Sequence, residues 1–402
     1  NCKTLKIIFL KKVHISLALF LLPCFSFAQS TIKSMLRLPD TGATSSYTTT
    51  FGEDNDYTIN PPYFLLNGDG TVTDTVTALM WQRIDGGEMT IEDAHNYCDT
   101  LTLAGYSNWR LPTAQEGFSI LNMQYANPAI DTTIFKKSLA EYWWTSERQA
   151  NDTTKIWATN KGGGIGNHPK AETLSAGGTK RFHVRAVRDV TPPSSIPNAF
   201  TDNGDGSITD NLTQLIWQKV AYTDTLTWEQ ALQYADTLSL SNATDWRLPN
   251  IKELQSINEE NSINPSVNTN FFTLGTARKF WSSTSLPNQP AKAWYWFAQF
   301  GVTTYDVKTL GHSILCVRGA SISTGLASTS LNKMLVYPNP FTSVLQVSRT
   351  STNEKFVLTD LFGKIIYKGT ELEKQDFTRL RSGIYFLHSE GRTNSTIKLI
   401  KL

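Results

Sequence analysis

NGDGTVTD at residues 67–74 returns as NGDGSITD at 203–210, and this pair decides how the chain is built. An acidic run punctuated by glycine invites a calcium reading. An EF-type loop needs oxygen ligands at alternate positions, Gly at the sixth and a bidentate Glu at the twelfth. Counted from Asn67, the last two positions are Val72 and Ala78; counted from Asn203, they are Ile208 and Gln214. The spacing fails in both places. Asn-Gly and Asp-Gly between apolar strands are turn chemistry, because Gly and Asn tolerate positive φ. The motif is expected to be a hairpin turn and not a metal site.

The match runs on beyond the turn. TDTVTALMWQR (73–83) aligns with TDNLTQLIWQK (209–219), and after a one-residue slip NWRLPTAQE (108–116) aligns with DWRLPNIKE (245–253). Trp144-Thr145-Ser146 meets Trp281-Ser282-Ser283, Trp157 meets Trp294, and Val187-Arg188 meets Val317-Arg318. Islands in one register over this length mean a duplicated domain. Each copy reads as α+β. A hairpin and a strand carrying Trp81 or Trp217 come first. A helix then starts at Thr90 or Thr227 and buries Ala94, Tyr97, Cys98 and Leu101, or Ala231, Tyr234, Ala235 and Leu238. A second helix starts at Thr113 or Asn250, with Glu116 or Glu253 at its third position, and short aromatic strands follow. In WRLP, the tryptophans are expected in the core, and Arg110 and Arg247 either against the helix glutamates or bracing backbone carbonyls.

Residues 1–28 have the form of a secretory signal peptide. Four lysines precede the apolar run Val13–Leu22, and Ser26-Phe27-Ala28 supplies small residues for cleavage after Ala28. Pro23 ahead of Cys24 disfavours lipidation, and no later segment has the length of a membrane span. Removing the leader turns the formal charge from +2 to −2, so there is no electrostatic footprint for nucleic acid. Cys98 and Cys316 then enter an oxidising compartment. The expected order is a lead segment (29–60), copy one (61–190), a Pro-stiffened linker (191–197), copy two (198–320), a Ser/Thr-rich linker (321–333) and a small all-β sandwich (334–402).

The set NGDGT-x-x-D, LMWQ, WRLP-x-x-x-E, WW/FW-[ST]-S and VR resembles the Lcl C-terminal domain (DUF1566) family. The resemblance implies a C-type lectin-like fold in tandem, and a surface adhesin or carbohydrate-binding role. Tyr337-Pro338-Asn339-Pro340, the Asp360-x-x-Gly363 turn, Ser382-Gly383-Ile384-Tyr385 and the basic Lys398–Lys401 end resemble a type A sorting domain of type IX secretion substrates. That implies an immunoglobulin-like sandwich handled by the type IX machinery, and delivery to the surface or exterior of a Gram-negative cell. Lcl-type domains pair a cysteine on the first helix with one beside the closing Val-Arg. Copy one keeps Cys98 but has Ala186 at the partner position; copy two has Ala235 on the helix and keeps Cys316. The resemblance leaves two readings, orphaned thiols in separate cores or a Cys98–Cys316 bridge between copies.

Catalysis finds little to work with. The histidines His95, His168, His183, His312 and His388 are scattered, and no Ser-His-Asp or metal-binding pattern emerges; no cofactor is expected. Lectin-type calcium binding would need acidic triplets where the chain has Gln289-Pro290-Ala291 and Trp294-Tyr295-Trp296. The binding candidates lie where the copies differ. NKGGGIGNHPKAETLSAGG (160–178) reads as a long glycine loop offering Asn160, Asn167, His168 and Lys170, with Trp143 and Trp157 as flat faces for a sugar ring. In KRFHVR, strand alternation puts Arg181, His183 and Arg185 on one face as an anion-reading stripe. Copy two adds an aromatic set, Trp294, Trp296 and Tyr305. The expected ligand is a glycan, or a protein on an extracellular surface.

Overall fold

The structure, a computed structural model, describes residues 31–136, 140–171, 182–319, 336–337, 341–347, 354–360, 363–389 and 396–401. It divides into two compact units, 1–320 and 321–402. The first is β-rich and holds both copies.

Each copy begins with a meander whose last partner is the copy's own final strand. Strands 64–66, 71–74 and 79–82 are joined by 187–189; strands 200–202, 207–210 and 215–218 are joined by 317–319. Trp81 pairs with Val187 and Trp217 with Val317, so the two ends of each copy are laced together. The NGDG turns are hairpin turns: Gly68, Gly70, Gly204 and Gly206 have φ of 81°, 89°, 75° and 93°. Asp69 Oδ1 accepts from the Thr71 N–H (3.0 Å) and hydroxyl (2.6 Å). Asp205 takes Ser207 the same way. Both carboxylates are committed to their own turns.

Four helices follow the expected spacing: α1 (Ile91–Thr100), α2 (Ala114–Ser119), α3 (Trp228–Thr237) and α4 (Ile251–Ser256). Thr90, Thr113, Thr227 and Asn250 cap them by accepting a backbone N–H. The box is reciprocal at α2, α3 and α4, where the Glu or Gln side chain reaches back. A second sheet completes each copy. Copy one orders it 165–169, 152–160, 142–149, 182–183; copy two orders it 222–226, 312–314, 279–285, 292–297, 302–307. The helices α1 and α3 bury Ala94 and Cys98, and Ala231 and Ala235, in two separate cores.

The lead segment is structural. Its strand 31–33 pairs with 194–196 of the inter-copy linker, and Asp40, Thr41, Glu53 and Asp54 are buried.

In the second unit, strands 365–369, 356–360, 383–389 and 396–401 make one antiparallel sheet, and 336–337 pairs with 346–347. Phe341, Leu345, Phe356, Leu358, Phe377, Tyr385, Leu387 and Leu399 fill its core. Pro338, Asn339 and Pro340 lie outside the described residues.

Candidate functional site

The WRLP arginines brace the fold. Arg110 donates to both Glu116 oxygens (2.6 and 2.9 Å) and to Asp189 (3.0 Å). Arg247 grips both oxygens of Glu253 (2.7 and 2.5 Å) in a buried pair. Each glutamate also accepts the N–H of its helix cap, so the arginine, the cap and the helix start are fixed together.

The two copies meet along a pseudo-two-fold seam. Gln115 on α2 donates to the Ser256 carbonyl at the end of α4 (3.2 Å), and Lys252, its counterpart on α4, donates to the Ser119 carbonyl at the end of α2 (2.8 Å). One core cluster is shared: Ala114, Phe118, Leu121, Met123, Trp157 and Ile165 from copy one, with Ile251, Leu286, Trp294 and the partly buried Val302 from copy two. Trp157 and Trp294 are equivalent residues, so each copy contributes the same face. They are 1% and 2% exposed.

The lead segment closes one side of the seam. Asp54 accepts from the hydroxyls of Thr41 (2.8 Å) and Thr284 (2.6 Å). Glu53 accepts from Ser285, and the Asp40 carbonyl takes Lys252 at 2.8 Å. Thr284 also caps α4 by accepting from Ile251 N–H (3.0 Å), while Glu147 does this for α2 (2.5 Å). Burial, then the Asp40 charge, pushes the Asp54 carboxyl up to about 7 against the pull of the Thr284 and Thr41 hydroxyls. Burial brings Lys252 down to about 8, opposed by Asp40. A carboxyl raised in the folded state contributes stability that is complete below its unfolded pKa and is lost as pH rises through the folded one. Between pH 4 and 7 the melting temperature of the parent is therefore expected to fall relative to that of Asp54→Asn, as thermal scans across that range will show.

Beside the seam lies an open groove of about 320 Å³. Copy one lines it with Asn127, Glu141, Tyr142, Asn160, Lys161, Gly162 and Gly164, and copy two with Trp294, Thr303, Thr304 and Tyr305. Tyr305 is 41% exposed and stands edge-on to Trp294 at 5.5 Å. Backbone forms the floor. Asn160 Oδ1 accepts from the N–H groups of Gly162 (2.9 Å) and Gly164 (3.1 Å), and Ile165 N–H reaches Thr303 Oγ1 (2.9 Å). Gly163 has φ +99°, and a Cβ there would lie 3.1 Å from Ala129 and 3.3 Å from Trp294. Copy two carries Phe297 at the position of Asn160, packed edge to face with Phe300, and its hairpin is one residue longer.

Several expected site residues lie elsewhere. The glycine segment is the tight turn of a hairpin, with Asn167 and His168 in its second strand opposite Trp157 and Ile156. Lys170 is tied back to Thr154 by its N–H (2.8 Å). Residues 172–181, including Arg181, lie outside the described residues. Trp143, Trp157, Trp294 and Trp296 are buried and present no open ring face. Arg185 does not share an exposed strand face with His183, because the strand Phe182–His183 ends before it. Arg185 turns inward, 2% exposed, donating to the carbonyls of Gln82 (2.9 Å), Arg83 (2.7 Å) and Lys136 (3.2 Å). Burial lowers its pKa to about 10, against the nearby Asp85. His183 meets the same Asp85 at 3.0 Å. Of the sequence candidates, the groove collects Asn160, the rim of Trp294 and Tyr305, with Lys161 from the quoted glycine stretch; it adds Asn127, Glu141 and Tyr142, which no motif marked.

The inter-copy disulfide reading is corrected. Cys98 and Cys316 are free and buried, each inside its own copy's core. Burial pushes the Cys98 thiol up to about 12 and raises Cys316 as well. Cys98 shares its cluster with Ala186, and Cys316 shares its cluster with Ala235. Ala186→Cys is therefore expected to form a bridge to Cys98, and Ala235→Cys one to Cys316, as non-reducing peptide mapping will show; each is expected to add about 2–4 kcal/mol.

Comparison with known proteins agrees with this architecture. The Lcl C-terminal domain matches residues 70–188 and 206–318, and a secretion system C-terminal sorting domain matches 335–401. No curated protein matches. A solved structure of PorZ, an essential bacterial surface component of the type-IX secretion system of Porphyromonas gingivalis, is similar at 14% identity. The likeness covers 85% of this chain and 38% of that one, with a TM-score of 0.16, too low to bear on fold or function. No helix among the described residues is long and apolar enough to cross a membrane. The sorting domain makes the protein a secreted one of the cell surface or extracellular space. With both repeats matched over more than half its length, the chain belongs to the Lcl C-terminal domain family.

Proposed function

We propose that this is a non-enzymatic surface binding protein whose seam groove recognises glycans in adhesion. The reading takes each copy as a C-type lectin-like domain and the tail as an immunoglobulin-like sorting sandwich. One observation carries it: an open groove that pairs an exposed aromatic ring, Tyr305, with the amides of Asn127 and Asn160 and the ammonium of Lys161. Ring faces stack on sugars, and amides serve hydroxyls as donor and acceptor together. Lys161 admits a carboxylate or sulfate on the sugar, in a chain whose charge between leader and tail is −6.

The test is a glycan array with the exported chain, run with EDTA and at two salt concentrations. Tyr305→Ala is expected to weaken binding about 5- to 20-fold with the salt dependence kept. Lys161→Ala is expected to flatten the salt dependence. Neither side chain is in a core, so both variants should melt like the parent. No glycan bound under any condition, or binding indifferent to both changes, would sink the reading.

A further inference from the structure

A second cleft, about 680 Å³, opens on copy two beside Gln115 of copy one. That volume suits a short oligomeric ligand. The cleft shares no lining residue with the seam groove. None of its lining residues is a lysine or arginine, so it offers no side-chain cation to a phosphate or sulfate.

Carboxamides dominate instead. Asn198 and Asn261 are exposed, and among the described residues neither side chain makes a hydrogen bond. Asn268 Oδ1 accepts from Asn270 N–H (3.1 Å), which leaves Nδ2 open among the described residues. Gln115 Nε2 is pinned to the Ser256 carbonyl (3.2 Å), which leaves Oε1 open in the same sense. The half-buried ring of Phe271 adds an apolar face, 5.6 Å from Phe200. Two more groups are wired in place. Trp296 Nε1 donates to Asn258 Oδ1 (3.3 Å), and Asn258 Nδ2 donates to Glu260 Oε1 (3.3 Å). Burial, then the Glu147 carboxyl, pushes Glu260 up to about 8. Below that pH it is uncharged, and a neutral carboxyl donates as well as accepts.

The main chain of this wall is largely spent. Asn258 N–H donates to Gln255, Glu259 N–H to Ser266 and Ser262 N–H to Glu259, and the Asn268 carbonyl takes Phe271 and Phe272. The Glu260 N–H is held by its own carboxyl. Little ladder is left for an extended peptide. Side chains that donate and accept, set beside one ring, match the hydroxyls of a sugar, which do the same. Copy one has no such arrangement. Leu121 and Met123 stand where copy two has Asn258 and Glu260, and both pack in the shared core. The lead segment also crosses that ground, its Thr41 carbonyl accepting from Met123 N–H (2.8 Å) and its Thr44 N–H reaching Gln124 Oε1 (2.7 Å).

We propose that the cleft of copy two is a binding site for an uncharged oligosaccharide, independent of the seam groove. Cellohexaose, maltohexaose, xylohexaose and mannohexaose, each titrated calorimetrically into the full exported chain at low and high salt, are the probes. At least one is expected to bind saturably and equally at both salts. Asn198→Ala and Asn261→Ala are each expected to weaken it at least about threefold, and together at least about tenfold. Both side chains are exposed, so these variants should melt like the parent. Glu260→Gln keeps a neutral donor and is expected to bind within about twofold of the parent. Tyr305→Ala, in the seam groove, is expected to leave this binding unchanged, so failure of that groove and failure of this site are read separately. The proposal fails if no hexasaccharide saturates, if the double asparagine variant binds like the parent, or if high salt, Glu260→Gln or Tyr305→Ala abolishes binding. It fails equally if a pool of random peptides displaces the sugar, which would make the cleft a peptide site.

Discussion

Arg247→Ala is expected to lower stability by about 3–5 kcal/mol, because it strands a buried carboxylate. Glu253 and Arg247 have side-chain exposures of 3% and 5%, and the guanidinium also lies over Tyr57 of the lead segment at 5.2 Å. Losing it leaves Glu253 charged in a dry site with only the Asn250 N–H for company. The same change in copy one is milder. Arg110 is 35% exposed, so water reaches the vacated side of Glu116, and Arg110→Ala is expected to cost about 1–2 kcal/mol. Urea unfolding of both variants at one pH gives the comparison. Arg247→Met with Glu253→Gln should recover much of the loss, because it removes the stranded charge. Equal costs for the two arginines would show that burial does not control these pairs.

Trp294→Ala is expected to be as damaging, about 3–5 kcal/mol, by opening a cavity in the shared core. Its consequence differs in kind. Trp294 packs with Trp157, Phe118, Ile165 and Met123 across the seam, so the cavity belongs to both copies. Calorimetry of the parent should show the two copies melting as one transition, while Trp294→Ala should separate them into two. Tyr305→Ala, at the solvent end of the same aromatic pair, is expected to change stability by less than about 1 kcal/mol. A single sharpened transition in Trp294→Ala would show that the seam is not what couples the copies.

The local grammar was legible in the sequence because local chemistry sets it. Asn-Gly and Asp-Gly fixed the hairpin turns, Thr-x-x-Glu and Asn-x-x-Glu fixed the starts of α2 and α4, and the six-residue gap brought Arg247 to Glu253. The repeat itself was plain. What stayed hidden depends on how the copies meet. Nothing in one copy's pattern says that Trp157 and Trp294 face each other, since a tryptophan beside a glycine loop reads alike as a sugar platform or a core residue. Arg185 looked outward by alternation because the strand's end at residue 183 carries no sequence mark. The lead segment has no strong periodicity, and its buried carboxylates make sense only beside Thr284, Ser285 and Lys252, more than 200 positions later. The groove residues Asn127 and Tyr142 had no motif either. Yet Asn160 standing where the aligned copy has Phe297 was a readable difference between the copies.

A two-fold seam between separate subunits would oblige both sides to keep the same surface, with two identical grooves. Joining the halves in one polypeptide lifts that obligation. One half could then carry Asn160 where the other keeps Phe297, and one leading strap could serve both. Under the proposed adhesive role each chain offers one such groove, and firm attachment would come from how densely chains are displayed, because effective concentration governs linked weak contacts.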